Sequence, residues 1–583
     1  MTKKQKKWLI ILGIIIAIFA VIGFTFNQII SSTIEGKVRS YLDEHQPLKG
    51  YTIDFKKINF NFLNRSVNLI DLTVTPDSLY IDSLVKTKYK SSFFTFELNK
   101  LSIIGIDFNE LVKNKKVSIR KIRFKKPHFS LYHIQGKKKP EVKKIEKQQK
   151  TEKLFSALED SIRIKGLNGL HIGLIEVRKS EIDILEHPSK KLIIKNDKVE
   201  LLVKNVALTK SSFNNDYHYP SFENASLTIE NNKIKLPNNL YEITFKKFYV
   251  NFLDKEATID KFHYKPIFSR KRFSKHLKYQ KDMFDVEIKK IHLSEIDFKQ
   301  LLISGRLHIA KVDVKEGKIK LFRDKNVPFD HSRRPLLPHQ ALKKMNFKMR
   351  IDTVAITKTY FEYEQSSKKN RKPIHIHMSN INGFLTNINT IKEELNSKSV
   401  MKVDLTTYVM DKAYTHLKFE FPLTAKNDVF YFTADIPKPF QLKILNDAVY
   451  PAAGMKFSSG TVDKIHLYGT GYPTFAHGRF KMLYHDLKMA ALDKDGLSTK
   501  KTLSWGINKF VASDNPKKGK EPRVSVMFFE RDMEKGFGNF FWKTIYSGMK
   551  STIIPLFQKQ SERKFKNFIK AQQEGNNDKK KKK

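Results

Sequence analysis

A stretch of thirty-five residues occurs twice in this chain. Leu98–Tyr132 reads LNKLSIIGIDFNELVKNKKVSIRKIRFKKPHFSLY, and Ile288–Phe322 reads IKKIHLSEIDFKQLLISGRLHIAKVDVKEGKIKLF, aligned without a gap. Ile103 matches Leu293, and Ile106-Asp107-Phe108 returns as Ile296-Asp297-Phe298. A repeat of this length marks a repeated structural unit. In each copy Val117 and Ile119, or Leu307 and Ile309, share one parity with charged or polar residues between them. Strand side chains alternate between faces, so each copy predicts strands with one apolar and one basic face. After Arg120-Lys121, and again after Ala310-Lys311, the apolar parity switches. A phase slip inside a strand pattern implies a bulge or a tight turn. Between the strands, Phe108, Leu111 and Val112 fall at helical spacing. Asp107 with Glu110, and Asp297 with Gln300, are spaced like an N-cap box. Both aspartates are therefore expected to cap a short helical turn and not to form a catalytic pair.

The apolar positions of the two copies define a candidate surface. It comprises Ile103, Val117, Ile119, Ile122, Phe124, Phe129 and Leu131, with Leu293, Leu307, Ile309, Val312, Val314, Ile319 and Leu321. Ordinary core packing is the simplest role for any one of them. Alternating strands are also predicted before the first copy (Tyr51 to Val74, with a hairpin turn at Asn64-Arg65-Ser66). Others follow over Ile162–Ile184, over Leu192–Tyr264 with turns at Asn214-Asn215, Asn231-Asn232 and Pro237-Asn238-Asn239, and on to Phe528. The forty-five Phe and twenty-one Tyr suit pleated surfaces.

The N-terminus is of another kind. Met1–Lys7 is basic, and Trp8–Phe26 carries no charge. That length spans a bilayer as a helix. Lys3, Lys4, Lys6 and Lys7 outnumber Lys37 and Arg39 after it, so the N-terminus is expected inside and the bulk exported. Ile29, Thr33, Ile34, Val38, Tyr41 and Leu42 continue as an amphipathic helix expected to lift the sheet off the membrane. At the other end Phe537, Phe541, Trp542 and Tyr546 lie on a basic helix. That helix suits either a membrane interface or the closing of the β core. The resulting plan has a basic head (1–7), a transmembrane helix (8–26), a first β segment (27–136) and a charged linker (137–155). A second β segment (156–340), a third (341–534) and an amphipathic helix with a lysine-rich tail (535–583) complete it.

Chemistry is excluded more than suggested. There is no cysteine, and the glycines follow no phosphate-loop spacing. His375 and His377 share a strand face but lack a third ligand, so neither metal nor cofactor is expected. No nucleophile–base pair appears, which argues against an enzyme. The net charge of +49 implies attraction to polyanions, and export favours anionic lipid over nucleic acid.

Four features together resemble a known family. They are the apolar anchor, the early strands IDFKKINFNFLNRSVNLIDLTV, the IDFxxL unit before paired strands with a Lys126-Pro127 strand entry, and the late GMKFSSGTVDKI…GRFKMLYHDLKM block. This chain resembles the AsmA-like envelope proteins, in a form similar to Bacteroidota members. The resemblance implies a mainly β fold: an elongated, curved antiparallel sheet of the repeating β-groove type, related to chorein-type bridge proteins. It further implies an inner-membrane, single-pass protein with a periplasmic bulk that conducts phospholipids or other envelope lipids towards the outer membrane, with a possible partner protein there. The alternative is a non-enzymatic scaffold for outer-membrane protein assembly that pairs strands at exposed sheet edges.

Overall fold

The computed structural model describes residues 25–44, 48–87, 89–136, 168–209, 221–236, 239–366, 372–491 and 501–581. These residues are mainly β, with 56% in strands. The strands pair both antiparallel and parallel, and helices are few among the described residues. The chain divides into two compact units, Met1–Ile259 and Asp260–Lys583, and each holds one copy of the repeat.

In the first unit a helix over 25–44 (α1) precedes β1 (Tyr51–Asn61), β2 (Ser66–Pro76), β3 (Ser91–Ile106), the short helix α2 (Phe108–Asn114) and β4 (Lys116–Ile134). Then come β5 (Gly169–His187), β6 (Lys191–Thr209), β7 (Asn224–Lys235) and β8 (Tyr241–Asn251). Each strand pairs with the next. All these pairings are antiparallel except β4–β5, which is parallel. Strand β9 (Glu256–Pro266) carries the chain across the division.

The second unit restarts the pattern with β10 (Met283–Ile296), α3 (Phe298–Ser304), β11 (Leu307–Asp324) and β12 (Met349–Ser366), and β11–β12 is again parallel. The expected all-antiparallel sheet is thus corrected to a mixed one with a parallel seam after each repeat. A parallel pair needs a long connection. Residues 325–348, with the proline-rich stretch Val327–Pro338 and helix α4 (Pro338–Lys343), supply it here. Antiparallel β13 (Ile374–Asn389), β14 (Val400–Val409), β15 (Ala413–Pro422) and β16 (Phe430–Ile436) follow. They lead to β17 (Phe440–Gln441), β18 (Met455–Gly471), β19 (Phe475–Ala491), helix α5 (Lys501–Phe510) and β20 (Val524–Glu530). Helices α6 (Phe537–Ile553) and α7 (Pro555–Lys581) end the chain.

The phase slip is a line of unpaired positions that crosses neighbouring strands in register. Ile106 faces Ile119 and Ile104 faces Lys121, leaving Gly105 and Arg120 between. The line continues through Gly173 and Asn205. In the second copy it runs through Glu295, Ala310, Asp352 and Asn387. Gly105 and Glu295 both have positive φ, as do Lys126 and Glu316 on a second line, and Lys179 and Lys358 beyond it. The register is the same on both sides of the line, so no strand gains a residue on its neighbour; each changes its apolar parity at the same level, in step with the strands beside it. Lys126-Pro127 is not a strand entry: Pro127 sits inside β4, next to Lys126 with its positive φ. Asn231-Asn232 likewise lies inside β7, where Asn231 has positive φ, and is not a turn.

Both aspartate caps form. The Asp107 carboxylate accepts from the backbone N–H groups of Asn109 (3.0 Å) and Glu110 (3.2 Å), and that of Asp297 from Gln300 (2.8 Å).

Helix α1 departs from expectation. Its Ile29 and Tyr41 are exposed, and it meets the sheet with a polar stripe. The N–H groups of Phe62, Phe60 and Ile58 donate to Asn27 Oδ1 (2.9 Å), Ser31 Oγ (2.7 Å) and Glu35 Oε2 (3.0 Å). Arg39 donates to the carbonyl of Phe55 (2.9 Å). Four helical residues advance about 6 Å and two strand residues about 6.6 Å, so an i, i+4 stripe keeps pace with alternate edge groups. The free edge of β1 is sealed in this way. Trp8–Phe26 lies, apart from its last two residues, outside the described residues, as does the linker 137–155. Among the described residues no helix is long and apolar enough to cross a membrane.

Candidate functional site

The apolar strand positions assemble into rows that cross the sheet, because residues directly opposite in register share a face. In the first unit one row runs Val67, Ile103, Ile122, Ile175, Val203. The next runs Leu69, Leu101, Phe124, Val177, Leu201, Leu227. A third runs Phe94, Leu131, Ile184, Ile194, Ile234, Ile243. Phe129 sits between Phe96 and Ile182. Every residue in these rows is only half-buried. Ile119, between Ile106 and Ile172, is buried, and Val117 is half-buried at the end of the strand.

The second unit repeats the arrangement. Leu293 faces Val312, which faces Val354, as Ile103 faces Ile122 and then Ile175. Val314, Ile319 and Leu321 lie beside Ile356, Phe361 and Tyr363, and Leu307 beside Met349, all half-buried. Ile309, the counterpart of Ile119, is again buried, at 3% exposure. All fourteen candidate residues therefore share the apolar face of their unit, twelve half-buried and two closed into the packing beside the short helix.

One row shows where this face is covered. It runs Leu293, Val312, Val354, Leu385, Val403, Phe419, Phe432. The first five are half-buried, whereas Phe419 and Phe432 are 7% and 2% exposed. The difference is helix α6. Its Phe541 ring lies 4.8 Å from Phe419 and 5.4 Å from Phe432, and Phe540 is buried beside Phe430. Gly548 lets the helix come close: a Cβ there would stand 2.5 Å from Met527 Cγ. Of the four interface candidates, Phe537 and Phe541 thus serve the core, while Trp542 and Tyr546 point outward, 42% and 37% exposed.

The other face is charged. Glu176, its side chain 1% exposed, receives Arg123, Lys121 (3.3 Å) and Arg178 (2.6 Å). Burial works against its charge, but the hydrogen bonds from Arg123 and Lys121 outweigh it and hold the carboxyl below its ordinary pKa. Histidine–carboxylate pairs recur on neighbouring strands: His128–Asp183, His308–Asp352, His416–Asp404 and His466–Asp435. His375 and His377 sit on one strand face, and His377 bonds Asp411 (2.9 Å). His263, Asp285 and Glu287 bring three ligand atoms within 4.8 Å of one another. Since His263 bonds Asp285 at 2.7 Å, the group reads as one more such pair. No spacing in the sequence announced it, because its members come from two strands.

The second unit also has helices bonded to strand edges. Asn508 and Ser504 of α5 accept from the N–H groups of Met489 and Ala491, both at 3.0 Å, and Ser547 of α6 accepts from Phe528 on β20 (3.0 Å). Compared with known proteins, the chain matches no family model and no curated relative.

Proposed function

We propose that this chain is a membrane-anchored, non-enzymatic lipid carrier. Its apolar β face binds the acyl chains of phospholipids and passes them between the membranes of a cell envelope, in the manner of the AsmA-like proteins it resembles. The carrying observation is the set of apolar rows across β3–β6 and β10–β12 that stay half-buried, whereas the stretch of the second unit's face that lies under α6 is closed. A sheet face this apolar demands a covering. Each acyl methylene that leaves water for it contributes about 0.8 kcal/mol. Trp8–Phe26 supplies the single-pass inner-membrane anchor, and the exported bulk lies in the periplasm. The net charge of +49 favours anionic headgroups. Strand addition as an assembly scaffold is less well supported, because helices seal the edges of β1, β19 and β20.

The test is mass spectrometry of lipid extracted from the purified full-length protein. Phospholipid is expected to co-purify. Ile122→Glu with Val312→Glu is expected to remove most of it, whereas Lys125→Glu on the opposite face leaves it. Equal lipid in all three preparations, or none in the parent, overturns the reading.

A further inference from the structure

We infer that the outward faces of α5 and α6, with the first turn of α7, dock onto the interfacial zone of a bilayer that carries anionic lipid. The packing of α6 is satisfied by Phe537, Phe540 and Phe541 on its inner side. Trp542 and Tyr546, one turn apart on the outer side with rings 6.2 Å apart, add nothing to that core. Nearby helices repeat the excess: Trp505 and Phe510 of α5 are 63% and 66% exposed, and Leu556 of α7 is 67% exposed. Two of the three tryptophans in the chain are therefore held in water on terminal helices.

Lysines accompany these rings. Lys509 Nζ lies 3.7 Å from the Trp505 ring, Lys543 5.6 Å from Tyr546, and Lys550 3.6 Å from Phe557. Residues 535–583 contain thirteen Lys and Arg against three Asp and Glu. Lys325 senses this field: after its burial, Arg323, Lys535 and Lys543 hold its pKa below the ordinary value. Tryptophan and tyrosine settle at the level of lipid headgroups, and lysines reach from there to phosphates. A protein partner fits less well, since protein interfaces are rich in aromatics but poor in lysine. Charge complementarity thus commits the surface to an anionic bilayer.

This goes beyond the lipid-binding reading and can fail without it. Full-length protein reconstituted in phosphatidylcholine vesicles is mixed with labelled vesicles of phosphatidylglycerol and phosphatidylethanolamine, and capture is measured by flotation. Capture is expected for these and not for labelled phosphatidylcholine vesicles. Trp505→Ser, Trp542→Ser and Tyr546→Ser together should reduce it at least about tenfold. A second readout uses Trp8→Phe with Trp505→Phe, which leaves Trp542 as the sole tryptophan. Its emission should be quenched by brominated lipid supplied only in the second vesicles. Undiminished capture by the triple variant, no preference for phosphatidylglycerol, or unquenched Trp542 each overturns the proposal. Lipid extracted from the purified protein before reconstitution reports the carrier function separately.

Discussion

Two residues show how tightly the second unit is drawn. Gly383 has φ +145°, and a Cβ there would lie 2.0 Å from the carbonyl oxygen of Asp404 on β14. Gly383→Ala should therefore cost about 2–4 kcal/mol, read from the denaturant midpoint, because strained backbone and a displaced strand both contribute. A loss under about 0.5 kcal/mol would refute this close approach. His339 on α4 is fully buried beside Phe421. Its Nε2 donates to the Asp428 carbonyl (3.0 Å), while Nδ1 has no partner. Burial pushes its pKa below the ordinary imidazole value, against the raising effect of Asp428. The folded state thus holds His339 neutral where the unfolded chain takes up a proton. Stability from this group is complete above about pH 6.5 and falls as the pH drops through the lowered folded value. Melting temperature should decline from pH 7.5 towards 5.5, and His339→Gln should flatten that slope. An unchanged slope would assign it to other groups.

Among the elements, α1 departs furthest from its sequence pattern. Its apolar positions predict an amphipathic helix, yet the stripe that meets the sheet is Asn27, Ser31, Glu35 and Arg39 at i, i+4 spacing. Ser31→Ala and Glu35→Ala should each cost about 1–3 kcal/mol by leaving an edge N–H unpaired. Together they bare a strand edge, so self-association should rise in size-exclusion chromatography. A double variant as stable and as monodisperse as the parent would show that the seal is unimportant. The short helices α2 and α3 were more legible. A cap depends on groups two or three residues away, and the Asp107 and Asp297 bonds form as their spacing implied.

At the scale of the whole molecule, the distinction that matters is between covered and open rows. Phe361 and Phe432 are the same residue type on the same face of the second unit, but only Phe432 lies under α6. Phe432→Ala should cost about 3–5 kcal/mol, and Phe361→Ala less than half as much, because a half-buried ring has already kept part of its contact with water. Equal costs in chemical denaturation would mean that the open rows are sealed, and would remove the basis for lipid binding.

The amino-acid sequence alone determined what depends on near neighbours. Alternation set the two faces, the parity slip marked the level at which the strands break step together, and the repeat carried the same cross-strand register into both units, Ile103 on Ile122 and Leu293 on Val312. These follow from strand pleat and local sterics, which act over a few residues. Tertiary structure decided the parallel seams, the sealed edges and which stretch of apolar face stays open. Leu293 and Phe432 obey one pattern. What separates them is Phe541, brought over the sheet from more than a hundred residues beyond Phe432, and a two-residue period holds no record of a contact that distant.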